Sequence, residues 1–78
     1  MTKAKPLPFG PWLVLLAERD DSIGDLKDDF IQDCRRSGRP PTAYKDSEDL
    51  RVHMQLNGAC SEALGALNEA AELYASLD

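Results

Sequence analysis

Four breaks govern what this chain can fold into. Prolines and a glycine crowd the start (Pro6, Pro8, Gly10, Pro11), Asp20-Asp21-Ser22 forms a turn, Gly38 is followed by Pro40-Pro41, and Asn57-Gly58 closes a further stretch. Proline removes a helix hydrogen bond and clashes with the preceding turn, while glycine accepts the left-handed backbone on which helices end. Between the breaks, apolar residues recur at spacings of three and four, and no useful run alternates as a strand would. Phe9, Trp12, Leu13 and Leu16 share one helix face, widened by Val14 and Leu15. Ile23, Leu26, Phe30 and Cys34 share a second. Leu50 and Met54, joined by His53 or Val52, mark a third and weaker stripe. Cys60, Ala63, Leu64, Leu67, Ala70, Ala71, Tyr74 and Leu77 make the clearest one. Helices this short are marginal alone in water, so the stripes must be buried against one another. The pattern predicts an all-α fold, a compact bundle of four or at most five short helices.

Local chemistry sets the expected boundaries. The first helix starts at Gly10-Pro11, where a missing N–H is harmless, and runs to about Arg19. Asp21 or Ser22 caps the second. Its early aspartates suit the positive end of the helix dipole, and Arg35 and Arg36 suit the negative end before Gly38 stops it. Residues 39–46, Tyr44 among them, read as a loop, and Asp46 or Ser47 caps the third helix. Gly65 costs its helix about 1 kcal/mol relative to alanine, which suggests a close neighbouring helix. Residues 1–8 read as a lead-in and residues 9–78 as one helical domain, consistent with a length of 78 residues.

The longest apolar run, Trp12 to Ala17, falls far short of the ~20 residues of a membrane span, so no membrane partner is expected. Lys3 and Lys5 are not followed by the apolar core of a signal peptide. The expected location is therefore cytoplasmic, with Cys34 and Cys60 as reduced thiols.

A net charge of −5 excludes a broadly basic polyanion binder. The charge is nevertheless uneven: residues 1–17, 18–33, 34–58 and 59–78 carry +2, −5, +2 and −4. Two candidate contact surfaces follow. One is acidic (Glu18, Asp21, Asp28, Asp29, Asp33) and the other basic (Arg35, Arg36, Arg39, Lys45). The acidic run is no calcium loop, because Gly24 stands one place too early after Asp20 and the closing glutamate is missing. His53 is the sole histidine, and sequence leaves a pairing with either cysteine open. No phosphate-binding glycine loop and no glycine-flanked serine is present. No catalytic residue, cofactor or metal is assigned, and an enzyme is not expected.

The segments Phe9-x-x-Trp12-Leu13 and Arg19-Asp20-Asp21-x-Ile23-Gly24-Asp25-Leu26-x-x-Asp29-Phe30 together resemble the YozE family of small bacterial proteins. Ala71-Glu72-Leu73-Tyr74 resembles the close of that family's last helix, so the likeness spans Phe9 to Tyr74. Gly10-Pro11 departs from the family's usual start. The resemblance implies a bundle like the sterile alpha motif. It also implies a structural role for Gly24-Asp25, with Asp25 accepting from the backbone or from Arg19 to set the angle between the first two helices. Trp12, Leu13, Leu16, Ile23, Gly24, Asp25, Leu26, Phe30, Leu64, Leu67 and Tyr74 are the expected structural residues. The expected function is a small, non-catalytic, bacterial or prophage-encoded module that binds an unidentified protein, with self-association compatible. The alternatives are nucleic-acid binding through residues 35–45 and a phage-borne inhibitor with an acidic surface.

Overall fold

In the first helix, α1 (Phe9–Val14), backbone carbonyls take the place of a side-chain cap. The Phe9 N–H donates to the Lys45 carbonyl (3.0 Å) and the Gly10 N–H to the Tyr44 carbonyl (2.8 Å). The chain crossing is so close that a Cβ on Gly10 would stand 2.1 Å from the Pro41 carbonyl oxygen. The computed structural model describes residues 7–77. The expected lead-in therefore lies outside the described residues except for Leu7 and Pro8. Leu7 packs against the core, and its carbonyl accepts from the Tyr74 hydroxyl at 2.5 Å.

Helix α1 is shorter than its apolar spacing predicts, ending at Val14 rather than near Arg19. Leu15 and Leu16 tighten onto the Trp12 and Leu13 carbonyls (3.2 and 3.3 Å), and the Lys27 ammonium then takes the Leu16 carbonyl (2.5 Å). The cause lies in the next helix. Gly24 packs so closely on Arg19 that a Cβ would meet the Arg19 carbonyl oxygen at 2.1 Å. The chain must leave the α1 axis to make that contact. Leu15, expected on the buried face, is consequently 71% exposed, while Trp12 and Leu13 are buried and Leu16 half-buried.

Helix α2 (Ser22–Ser37) follows its sequence signals. Asp21 is the cap, its Oδ1 accepting from the Gly24 N–H at 3.0 Å. Gly38 ends the helix at φ 73° and donates to the Cys34 carbonyl. Ile23, Leu26, Phe30 and Cys34 are buried. The role expected of Asp25 belongs instead to Asp21, which holds Arg19 by paired hydrogen bonds of 2.8 and 3.1 Å. Asp25 is exposed, because only the residue before the first turn can reach both Arg19 and the free N–H groups.

A single 3-10 turn, Pro41–Ala43, breaks the expected loop and delivers Tyr44 into the core, 1% exposed. Helix α3 (Ser47–Leu56) is capped by Asp46 and buries Leu50, with Met54 and His53 half-buried and Val52 turned outward. Helix α4 (Ser61–Ala75) buries Ala66, Leu67 and Ala70, with Leu73 and Tyr74 packed alongside. Its buried line is rotated from the expected stripe, leaving Cys60 and Leu77 exposed and Leu64 half-buried. Gly65 has no neighbour within 4 Å of an added Cβ, so the close contact expected there is absent.

The described residues thus form an all-α bundle of four helices without a strand. Helix α2 packs chiefly on α4, and Ser22 Oγ donates to Glu69 Oε1 across that pair (2.7 Å). One aromatic group joins Phe9, Trp12 and Tyr74, and another joins Phe30, Tyr44 and His53. No helix of the described residues is long and apolar enough to cross a membrane.

Candidate functional site

Along α2, Asp25, Asp29 and Asp33 recur every fourth residue and so share one flank, beside the core stripe of Leu26 and Phe30. That flank faces α3 and α4 across an open groove of about 520 Å³. The all but buried Leu26, Phe30, Leu50 and Ala66 form the apolar floor of the groove, and the half-buried Met54 and Ala63 stand on its walls. Its charged lining is four carboxylates, with Glu62 on α4 added to the three aspartates, against the single guanidinium of Arg36.

Asp33 and His53 tie two walls of the groove together. Asp33 Oδ2 lies 2.7 Å from His53 Nε2, with both side chains largely enclosed. Asp33 Oδ1 accepts from Arg36 at 3.2 Å. The Asn57 amide donates to the His53 carbonyl at 2.7 Å and approaches Nδ1 at 3.5 Å. In this arrangement Nε2 donates to the Asp33 carboxylate. The Tyr44 ring meets the imidazole edge to face, 5.5 Å between centroids. The exposed Cys60 lines the same groove, whereas Cys34 is buried, and both are free thiols. Burial pushes the Cys34 thiol above its ordinary range, with Asp33 adding to the effect, so this thiol is held in its unreactive form.

The two sequence-derived surfaces are each divided. Of the acidic set, Asp29 and Asp33 line the groove. Asp28 is exposed on α2 outside it, and Glu18 is exposed on the connection between α1 and α2. Asp21 is engaged as a cap, and its hydrogen bonds from Arg19 and the Gly24 N–H hold its carboxyl below the usual aspartate range. Of the basic set, Arg36 belongs to the groove, beside Asp33. Arg35 and Arg39 flank a separate shallow depression with Val14, Ile31, Pro40 and Pro41. Lys45 is exposed, and its backbone serves the fold, the carbonyl accepting from Phe9 and the N–H donating to Asp49 Oδ2 (3.1 Å).

Comparison with known proteins returns no matching family model, no similar curated protein and no similar solved structure. The site therefore rests on its own geometry. Sequence reasoning missed Met54, Ala63, Ala66 and Glu62 as parts of a site. The four-residue recurrence of Asp25, Asp29 and Asp33 is the one signal that marks the flank in advance, whereas the opposing walls depend on tertiary packing. What the groove offers a ligand is apolar contact edged by carboxylates.

Proposed function

We propose that the chain is a small non-catalytic interaction module that receives a segment of a protein partner in the groove between α2, α3 and α4. The observation that carries this reading is the open groove itself, apolar within and carboxylate-edged along α2. Apolar surface left accessible in a concave site is favourable to bury, and polar edges fix orientation. The resemblance to the YozE family and to the sterile-alpha-motif bundle supports the same reading, since such bundles mostly mediate protein contacts. A bacterial or prophage origin and a cytoplasmic setting belong to the same proposal. A photo-crosslinker placed at Gln32, on the groove, is expected to capture a discrete protein from host extract, and one placed at Arg35 is not. Equal capture from both positions, or none from Gln32, would overturn the reading.

A second reading is favoured by Arg35 and Arg39, which have no carboxylate partner among the described residues and edge the shallow depression over Cys34. Arg39 also stands 5.2 Å from the Tyr44 ring centroid. Nucleic acid binding there would weaken steeply with salt. Absence of any retarded DNA or RNA at low salt would end that reading. The inhibitor alternative would use the same carboxylate flank, and competition with DNA for a host enzyme distinguishes it.

A further inference from the structure

Resting on the groove reading, we infer that the occupant is a basic amphipathic helix, with aliphatic side chains inside the groove and lysines or arginines against α2. Three observations converge on this chemistry. First, Asp25, Asp29 and Asp33 stand one above another, at steps of ~6 Å for a rise of ~1.5 Å per residue. A helix laid alongside presents its own i, i+4 side chains at the same step, so successive bases meet successive carboxylates. Asp33 is already engaged by His53 and Arg36, while Asp25 and Asp29 are exposed. Glu62 adds a carboxylate from α4.

Second, the apolar lining of Leu26, Phe30, Leu50, Met54, Ala63 and Ala66 comes from three different helices, so it forms a trough rather than a ridge. Third, α-helical walls bond their own backbone groups internally. An extended peptide in this trough would find few partners for its N–H and C=O groups, which are costly to bury unpaired. A helical occupant satisfies its own backbone and shows only side chains, the helix-in-groove mode of recognition. Polyphosphate ligands are disfavoured by the carboxylates, and an acidic helix by the same repulsion.

The test is a titration of the full ¹⁵N-labelled chain with designed 18-residue peptides, followed by amide shifts and calorimetry. One peptide carries a leucine stripe flanked by lysines at i, i+4. A second replaces the lysines by glutamine, a third by glutamate, and a fourth keeps the lysines but replaces the leucines by serine. The lysine–leucine peptide is expected to shift amides of α2, α3 and α4 along the groove. Its affinity should fall about tenfold for the double variant Asp25→Asn/Asp29→Asn, as lost exposed ion pairs of this kind allow, with helicity unchanged. Equal or tighter binding of the glutamine or glutamate peptide would overturn the basic partner while leaving the groove reading standing. Equal binding of the serine peptide would overturn the amphipathic occupant. Groove shifts on raising protein concentration alone would seat a second copy there and also overturn it. Failure of every peptide to move the groove amides would overturn the groove reading itself.

Discussion

Replacing Gly10 by alanine should destabilise the fold, although alanine is the better helix former by about 1 kcal/mol. The added methyl group would stand 2.1 Å from the Pro41 carbonyl oxygen and 3.0 Å from that of Tyr44. Both are backbone atoms and cannot swing aside as a side chain could. Restoring ordinary contact needs a separation of about 1–1.5 Å between α1 and the Pro41–Ala43 turn. That movement strains the Phe9 and Gly10 hydrogen bonds to the Lys45 and Tyr44 carbonyls, and it loosens the fully enclosed Phe9 and Tyr44. Overpacking costs about 1–3 kcal/mol, and each of the two hydrogen bonds about 0.5–1.5 kcal/mol. Set against the propensity gain of about 1 kcal/mol, the net loss is about 1–5 kcal/mol, centred near 3 kcal/mol. For a domain of this size the central value lowers the melting temperature by roughly 12–24 °C. Gly65→Ala is the control of opposite sign. No atom lies within 4 Å of its added Cβ, so only the propensity gain of about 1 kcal/mol remains. Thermal and urea unfolding, followed by circular dichroism at 222 nm and by Trp12 fluorescence, reads both. Wild-type or greater stability in Gly10→Ala would refute the packing of α1 on the turn, as would a loss in Gly65→Ala for the open face of α4.

Other substitutions and conditions probe the remaining features. The buried Tyr44 hydroxyl makes no well-formed hydrogen bond, with only the Arg39 guanidinium beside it, so Tyr44→Phe should leave stability unchanged or raise it by up to about 1 kcal/mol in urea titrations. Leu67→Ala should cost about 2–5 kcal/mol by the same assay, because Leu67 is fully enclosed. The Asp21 carboxyl is held below its ordinary value of 3.8, so the fold prefers the carboxylate. Its contribution is intact above that value and is lost as pH falls through the lower folded one, and Asp21→Asn should flatten that part of the acid limb. Burial raises Cys34 above 9.0 and Tyr44 above 10.0, so the fold prefers both protonated. Stability should therefore decline as pH rises past those ordinary values, and Tyr44→Phe should remove the upper part of the decline.

How far the fold could be read in advance depended on how local each cause is. Asp21, Gly38 and Asp46 act within a turn of themselves, and the helix ends they set stand where their chemistry predicts. The end of α1 does not, because it is decided by Gly24 against Arg19 and by Lys27 on the Leu16 carbonyl, five and eleven positions away. Tyr44 gave no warning of its burial. It stands in an arginine- and proline-rich stretch without periodicity, and the Pro41–Ala43 turn alone carries it inward. The acidic segment was legible as charge, and its Asp29 and Asp33 do reach the candidate site. The basic segment was legible only as composition. Neighbours on a helix point about 100° apart, so Arg35 and Arg36 serve different depressions. The trough itself was hidden, since half of it comes from α3, α4 and the connection between them.

The central claim is that this groove, and no other face, holds the partner helix. Calorimetric titration of the lysine–leucine peptide against Ala63→Trp tests it most directly. Ala63 is half-buried on the trough wall, so the larger side chain fills the space with little cost to folding. At least a tenfold loss of affinity is expected in Ala63→Trp and none in Arg35→Ala/Arg39→Ala. Unchanged affinity in Ala63→Trp, with the arginine variant impaired, would contradict it.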